Sequence, residues 1–164
     1  MDMPKQNMKL EQLEETIRKV LAAGGSFSFY PRGTSMEPFF VQGQDKIVLA
    51  PLPDKVKKYD IILYKRRNGA FVLHRIIRKK EDGYVFRGDN QFVNEYGIRT
   101  EQMIGIVTET VRGDKIIQVN DRKHRLWALM WVHTARIRRI WKYLMRHLKK
   151  ETYMRTEPQE VKNS

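Results

Sequence analysis

The chain has 164 residues, an apolar fraction of 41% and a formal net charge of +13. This length suits one domain with a modest core, and an aromatic content of 10% argues against disorder throughout. The absence of cysteine excludes a disulfide scaffold, a thiolate nucleophile and cysteine-ligated zinc. The four histidines do not have metal-ligand spacing, so we expect neither a metal nor a cofactor.

Residues 1–25 predict an N-terminal helix. The pattern favours a helix that covers one end of the domain over a helix that docks a partner. The N-terminus has no apolar signal-peptide core, and no run of about 18 apolar residues occurs, so we expect a cytoplasmic protein without a spanning helix. Gly24-Gly25 supplies the stop, and the apolar residues at helical spacing are Leu10, Leu13, Ile17, Val20 and Leu21.

Residues 26–119 change to short β-rich runs separated by turn signals. Asn68-Gly69 and Asp82-Gly83 have the composition of hairpin turns. Because no helical segment separates the runs, they predict a mainly β, antiparallel, barrel-like domain. The predicted strands are Ser26–Tyr30, Lys46–Ala50, Ile61–Tyr64, Phe71–Arg78, Tyr84–Phe86, Met103–Val111 and Lys115–Val119.

Residues 120–150 predict a basic amphipathic C-terminal helix, and the polar residues 151–164 predict a flexible tail. Residues 121–150 contain ten Lys and Arg against one acidic residue, so most of the net charge lies there. Its three tryptophans fit a membrane–water interface. Two interpretations stay open: peripheral binding of an anionic inner membrane surface through 123–150, or packing of the helix on its own domain. The predicted apolar face comprises Leu126, Met130, His133, Ile137, Ile140, Trp141, Leu144 and Leu148, widened by Trp127 and Trp131.

Ser35 follows a predicted strand that Pro31 and Gly33 interrupt, so it is expected to project from a tight turn. Most serines in turns only hydrogen-bond the backbone. A catalytic serine needs a neighbouring base to accept its proton and donors that stabilise the developing oxyanion. The turn therefore indicates where a nucleophile could be presented and does not identify one.

His74 is the only histidine of the β-domain and lies within a predicted strand. A lone strand histidine is more often structural than catalytic. Asp89, between Gly88 and Asn90, could orient that imidazole as the third member of a triad, or it could be an ordinary turn residue. The spacing of these residues leaves both a serine hydrolase and a structural interpretation open.

Together, however, the motifs resemble the boxes of the signal peptidase and LexA-type serine peptidase superfamily, over roughly residues 26–110. The histidine box resembles the endoplasmic-reticulum type of signal peptidase, in which histidine replaces the lysine base of other branches. The resembling boxes are Gly33-x-Ser35-Met36-x-Pro38, Asp60-Ile61-Ile62-Leu63-Tyr64, His74-Arg75-Ile76 and Gly88-Asp89-Asn90, followed by Gly105 in a last box.

The resemblance implies a signal-peptidase/LexA-like β-fold with Ser35 as nucleophile and His74 as general base. It implies Asp89 as the favoured acid and Glu95 as the alternative. The Ser35 N–H would supply one oxyanion donor. We also expect a shallow apolar groove that binds an extended peptide by strand addition, at Gly33, Met36 and Pro38.

Four features depart from what is usual in one branch of the family or another. Tyr59 stands where the family usually has glycine, and Gly33 replaces the hydroxyl residue that often precedes the nucleophile by two positions, which leaves a second oxyanion donor unassigned. The sequence also shows neither the membrane anchor typical of signal peptidases nor, in residues 1–25, room for a helix-turn-helix domain.

We therefore predict a serine endopeptidase that cleaves a leader or signal-type peptide through a Ser35–His74 dyad, with an acyl-enzyme formed on Ser35. Two alternatives remain. One is a non-catalytic relative that binds peptides. The other is a basic membrane or nucleic-acid adaptor in which Ser35 only caps a turn, and here the sequence disfavours nucleic acid because it lacks an aromatic–basic RNA motif.

Overall fold

The computed structural model describes residues 10–119, 121–141 and 143–145. The predicted tail, 151–164, and the end of the predicted C-terminal helix with Leu148 lie outside the described residues. Helix α1 (Leu10–Ala22) precedes the sheet, and a short 3₁₀ turn (Thr100–Gln102) lies between the sixth and seventh strands. The strands are β1 (Phe27–Phe29), β2 (Asp45–Ala50), β3 (Ile61–Lys65), β4 (Phe71–Lys80), β5 (Gly83–Arg87), β6 (Glu95–Ile98), β7 (Met103–Arg112) and β8 (Lys115–Gln118).

All eight strands belong to one antiparallel sheet, as the alternation of β-rich runs and turns predicts. The strand order is β1-β2-β7-β3-β4-β5-β6, and β8 pairs with the second half of β7. The sheet is not a closed barrel, because β1 and β6 end this order without pairing with each other. These outer strands have three and four residues and lie at opposite ends of the strand order. The barrel-like part of the prediction is wrong in that respect.

The seven predicted strands are all present, with ends shifted by at most two residues. The one strand that was not predicted is β6, because Glu95-Tyr96-Gly97-Ile98 is short and lacks β-branched alternation. Gly97 has φ of +69°, which further weakens the strand pattern. This missed strand carries Glu95 and pairs it with Phe86 of β5.

Helix α1 packs against β1 and β7. Ile17 and Leu21 are buried in the core that the sheet shares with the Ser35 turn. A Cβ at Gly105 would lie 2.7 Å from Leu21 Cδ1 and 3.1 Å from the Ala50 carbonyl oxygen. Only glycine therefore permits this close approach of helix and strand, which accounts for Gly105 in the last sequence box.

The predicted C-terminal helix begins as α2 (Arg122–His133), where the Asp121 side chain accepts a hydrogen bond from the His124 N–H at 2.7 Å. Thr134 interrupts it, and helical structure resumes over 135–141 and 143–145. The Thr134 hydroxyl donates to the Met130 carbonyl at 2.8 Å, and the Thr134 N–H donates to the same carbonyl at 3.0 Å. The single uninterrupted helix that the pattern predicts is thus divided.

The two tryptophans of α2 face the domain, as expected from the interpretation in which the helix packs on its own domain. Trp127 packs on Phe39 with ring centroids 4.9 Å apart, and the Trp131 Nε1–H donates to the Asp89 carbonyl oxygen at 2.9 Å. Trp141 differs, with 65% of its surface exposed. No helix among the described residues is long and apolar enough to cross a membrane.

Candidate active site

Ser35 lies in the turn region between β1 and β2, with its main chain held from both sides. The Glu37 N–H donates to the Thr34 carbonyl at 3.2 Å. The next residue, Met36, and Phe40 are buried in the core, and their main chains are joined by a hydrogen bond of 3.0 Å. Buried anchors therefore fix a half-buried serine, as a presented nucleophile requires.

The Gly88-Asp89-Asn90 turn holds the Ser35 segment directly. The Asn90 N–H donates to the Ser35 carbonyl at 2.9 Å, and the Asn90 side-chain amide donates to the Thr34 carbonyl at 3.2 Å. The Ser35 N–H donates to no residue that the structure describes, so it is available to a ligand. This turn thus positions Ser35 through its main chain.

Gly88 separates the Ser35 segment from His74. A Cβ at this position would lie 2.5 Å from the Ser35 carbonyl oxygen and 3.0 Å from His74 Nε2. Those two atoms can therefore be no farther apart than the sum of the two distances. The first glycine of the Gly-Asp-Asn motif is needed because no side chain fits between the two candidate catalytic residues.

His74 lies on β4, opposite Ile62 of β3, and is buried. Its Nδ1 is 3.2 Å from Glu95 Oε1 and 3.2 Å from the Tyr64 hydroxyl. An ionised Glu95 only accepts hydrogen bonds, whereas the Tyr64 hydroxyl can donate or accept, so a hydrogen on Nδ1 is the arrangement that satisfies Glu95. The Nε2 lone pair then faces the Ser35 segment, which is the tautomer that a general base needs.

Electrostatics keep this imidazole neutral and its carboxylate partner ionised. Burial lowers the pKa of His74; the Glu95 charge opposes the shift, Arg66 adds to it, and the net shift is downward. Burial raises the pKa of the Glu95 carboxyl, but hydrogen bonds from Arg66 and Tyr64 outweigh it, and the pKa is lowered. The Tyr64 hydroxyl stays protonated because burial and Glu95 raise its pKa.

Arg66 binds both oxygens of the Glu95 carboxylate, including the Oε1 that contacts His74. Its Nε donates to Glu95 Oε2 at 2.8 Å, and a second guanidinium nitrogen donates to Oε1. This paired arrangement fixes the carboxylate plane. The acid that contacts His74 is thus itself oriented by an arginine from the β3–β4 hairpin.

Asp89 has a different partner. Both of its oxygens accept from Arg75, at 2.8 and 2.6 Å, and both side chains are 2% exposed. Arg75 also donates to the Tyr59 carbonyl at 3.0 Å. The structure therefore brings Glu95, the alternative acid of the sequence analysis, into contact with His74, and gives the favoured Asp89 to Arg75.

Tyr59 adopts a left-handed backbone with φ of +77°, where the resembled family usually has glycine. Its N–H donates to the Ile76 carbonyl at 2.8 Å, and its hydroxyl is 3.2 Å from His133 Nε2. These contacts hold a non-glycine residue in a strained conformation, so the departure keeps the turn and adds a contact to α2.

Ser35 and His74 line one pocket of about 220 Å³, which we call the Ser35 pocket. Gly33 and Met36 also line it, as predicted for a substrate groove, whereas Pro38 lines a separate pocket beside Trp127. The Ser35 hydroxyl forms no hydrogen bond to His74 within the described residues. The other residues that line the Ser35 pocket are Pro31, Arg32, Phe40, Arg66, Phe71, Val72, Leu73 and Gln91.

An apolar groove of about 470 Å³ continues from the Ser35 pocket and shares four residues with it. Beyond the shared residues, this apolar groove extends over β1, β3 and α1. The shared residues are Pro31, Arg32, Phe71 and Leu73, and the others are Leu13, Ile17, Phe27, Phe29, Tyr30 and Leu63.

Sequence reasoning missed several residues of the site. Tyr64 ends a family box, but its contact with His74 depends on the pairing of β3 with β4. Arg66 and Gln91 carry no local signal, because only the folded hairpin and turn bring them to the pocket. Among the described residues, no group of three or more His, Asp or Glu side chains could hold a metal ion.

The arrangement can transfer a proton from a hydroxyl at Ser35 to His74 Nε2 while Glu95 stabilises the resulting imidazolium. In unliganded enzymes such hydrogen bonds are often long and tighten on substrate binding. No family model matches the chain, and comparisons with curated proteins and with solved structures also found no match.

Proposed function

We propose that this chain is a serine endopeptidase of the signal-peptidase-like superfamily, with the corresponding β-fold. Ser35 is the nucleophile, His74 is the general base, and Glu95 orients and stabilises the imidazole. The observation that carries the proposal is the shared pocket in which His74 Nε2 faces the Ser35 segment while Nδ1 contacts Glu95.

In the proposed reaction, Ser35 Oγ attacks the scissile carbonyl and His74 Nε2 accepts the hydroxyl proton. The free Ser35 N–H stabilises the oxyanion. His74 then protonates the leaving amine, the acyl-enzyme ester remains on Ser35, and a water deprotonated by His74 hydrolyses that ester. Glu95 stays ionised throughout, in agreement with its lowered pKa.

The apolar groove supports an extended peptide as substrate. β1 pairs only with β2 among the described strands, so its other edge is unpaired. An extended peptide can add to such an edge through its main chain. Phe27 and Phe29 of β1 line the groove beside it and supply apolar contacts. A leader or signal-type peptide with apolar residues before a small residue fits these features.

A serine-reactive activity probe tests the chemistry. We expect the wild-type protein to be labelled, and Ser35→Ala and His74→Ala to abolish labelling because they remove the nucleophile and its base. Ser28→Ala and His133→Ala are matched controls, since both residues are exposed and lie outside the Ser35 pocket. Labelling that survives in Ser35→Ala would contradict the proposal. No labelling of the wild type would favour a non-catalytic peptide-binding relative.

We also propose that this enzyme is cytoplasmic and binds the inner membrane surface through its C-terminal helical segment. A stripe of large apolar side chains is exposed on the side of this segment away from the domain. Arg136 and Arg139 are exposed on the same segment and complement anionic lipid. The apolar stripe consists of Leu126, Leu129, Met130, Ile137, Ile140, Trp141 and Leu144.

Cosedimentation with vesicles tests this placement. We expect binding to vesicles rich in phosphatidylglycerol at low salt, weaker binding at high salt, and little binding to neutral vesicles. Ile137→Asp with Ile140→Asp should abolish binding, because both lie in the apolar stripe. Ile116→Asp is the control, since Ile116 is equally exposed but lies on β8. Equal loss in the control would contradict the assignment to this segment.

A further inference from the structure

A pocket of about 520 Å³, which we call the Arg139 pocket, opens beside the Ser35 pocket. The two share Arg66 and Gln91. The apolar groove, by contrast, joins the Ser35 pocket through Pro31, Arg32, Phe71 and Leu73. The three spaces therefore form a row, and the Ser35 pocket lies in the middle. A peptide cleaved at Ser35 and held in the apolar groove continues towards the Arg139 pocket.

The Arg139 pocket has an unbalanced positive charge. Among the described residues, Glu95 is the only acidic residue that lines it, and both Glu95 oxygens are bound by Arg66. Arg139 is exposed and forms no ion pair with any residue that the structure describes. The Arg66–Glu95 pair is neutral as a unit, so the charge of Arg139 remains for a ligand.

Arg138, next to Arg139 in the chain, and Arg87 of β5 are two further cations, and both bind main-chain carbonyls. Arg138 donates to the Asp89 carbonyl at 3.4 Å, and Arg87 donates to the Val132 carbonyl at 3.2 Å. The nearby carboxylate of Asp89 is already neutralised by Arg75. The surroundings therefore attract anions and disfavour a basic ligand.

The remaining wall is apolar, because Phe92 and Val93 line it and Val93 is 76% exposed. A ligand that satisfies this pocket combines an extended, partly apolar chain with a carboxylate. A simple inorganic anion would leave the apolar wall uncovered. The continuity with the Ser35 pocket favours a peptide over a lipid headgroup.

We propose that the Arg139 pocket is a specificity subsite for acidic peptide residues. It binds the part of the substrate on the other side of the scissile bond from the apolar groove, and that part carries Asp or Glu. This inference rests on the proposed peptidase function, because that function puts the scissile bond at Ser35.

Peptide binding to the Ser35→Ala protein tests the subsite without requiring catalysis. The probes are labelled peptides Leu-Val-Ala-Ala-Asp-Asp and Leu-Val-Ala-Ala-Asn-Asn, together with both sequences in reversed order, which gives the direction of the chain. For the order that binds better, we expect about fivefold tighter binding of the Asp peptide by fluorescence anisotropy. This preference should decrease with added salt.

Arg139→Gln should remove the preference, because it weakens binding of the Asp peptide and has much less effect on the Asn peptide. Arg136→Gln is the matched control, because Arg136 is exposed on the same segment and does not line the pocket. Equal affinities for the Asp and Asn peptides, or a preference that survives in Arg139→Gln, would overturn the proposal. So would an Arg139→Gln variant that loses affinity only for phosphatidylglycerol vesicles.

Cleavage by the wild-type protein separates this proposal from the proposed function. An Arg139-dependent preference in binding without hydrolysis of any of the peptides supports the subsite and counts against the peptidase. Hydrolysis of the Asp and Asn peptides at equal rates supports the peptidase and overturns the subsite.

Discussion

Asp89 and Glu95 both act electrostatically on His74, yet their surroundings differ sharply. Asp89 is 2% exposed in its side chain and uses both oxygens on a buried arginine. Glu95 is 22% exposed, binds Arg66 through both oxygens, contacts His74 Nδ1 through Oε1 and lines an open pocket. A carboxylate buried with its counter-ion joins two structural elements. A partly exposed carboxylate that contacts an imidazole can stabilise that imidazole when it accepts a proton.

The elements around each carboxylate follow the same division. α2 covers the Asp89 side, where Arg75 lies 4.9 Å from the Phe39 ring centroid and 5.7 Å from that of Trp127. The Glu95 side is formed by the short edge strand β6 and remains open. We infer that Asp89 is a structural residue that positions the Ser35 turn, and that Glu95 is the functional acid.

Asp89→Asn should have the largest effect on stability. It leaves the Arg75 charge buried without a carboxylate, which costs about 3–5 kcal/mol of unfolding free energy. Urea unfolding measures the change. Asp82→Asn, an exposed turn residue, is the control and should stay within about 0.5 kcal/mol of wild type. If Asp89→Asn lowers the unfolding free energy by less than about 1 kcal/mol, the Arg75–Asp89 pair does not stabilise the fold as proposed.

Glu95→Gln should affect catalysis instead. The amide can donate as well as accept, so it no longer selects the Nδ1–H tautomer of His74 or stabilises the imidazolium. We expect kcat to fall about a hundredfold, at the lower end of the range for acid–base groups. The partly exposed pairs of Glu95 contribute little stability, about 1 kcal/mol or less. A variant with unchanged kcat would return the role of acid to Asp89.

The pH dependence of catalysis reports the charges of Glu95 and Arg66 next to His74. Because burial lowers the pKa of His74, kcat/KM should fall on the acid side with a midpoint below about 6.5. Glu95→Gln removes a charge that raises this pKa and should move the midpoint lower, whereas Arg66→Gln removes a charge that lowers it and should move the midpoint higher. An NMR titration of the His74 ring measures both shifts independently of activity. Shifts in the same direction would contradict the assigned charges.

The same shift affects folding. The unfolded chain binds a proton at His74 near pH 6.5, whereas the folded chain binds it only at lower pH. The unfolding free energy from this group is therefore constant above pH 6.5 and decreases as the pH falls from there towards the folded pKa. His74→Phe should reduce this part of the pH dependence in urea unfolding experiments.

The sequence predicted the β-domain well because its strands carry local signals. Runs such as Phe71–Lys80 are β-branched or aromatic, and turn residues bound them. The open sheet was not predicted, because closure depends on how far the edge strands extend and not on any single run. The sequence boxes single out Ser35 and His74, and the structure places both residues in the lining of one pocket.

The acid could not be chosen from the sequence. Asp89 stands in the stronger motif, but its side chain binds Arg75. Arg75 is adjacent to His74 on β4, so the Arg75 side chain projects to the other face of the sheet. Glu95 begins a strand without a clear β pattern, and only the pairing of β5 with β6 brings it near His74. Long-range register, which sequence spacing does not encode, decides between the two carboxylates.

Trp131→Phe should have the smallest effect and tests whether α2 supports the catalytic turn. It removes the hydrogen bond to the Asp89 carbonyl and keeps most of the ring packing, so we expect a loss of about 1 kcal/mol in unfolding free energy. Trp141→Phe is the matched control and should cost almost nothing, because Trp141 is exposed. If Trp131→Phe also lowers kcat while Trp141→Phe does not, then α2 positions Ser35 through the Gly88-Asp89-Asn90 turn. Equal kcat values would limit α2 to covering the Arg75–Asp89 pair.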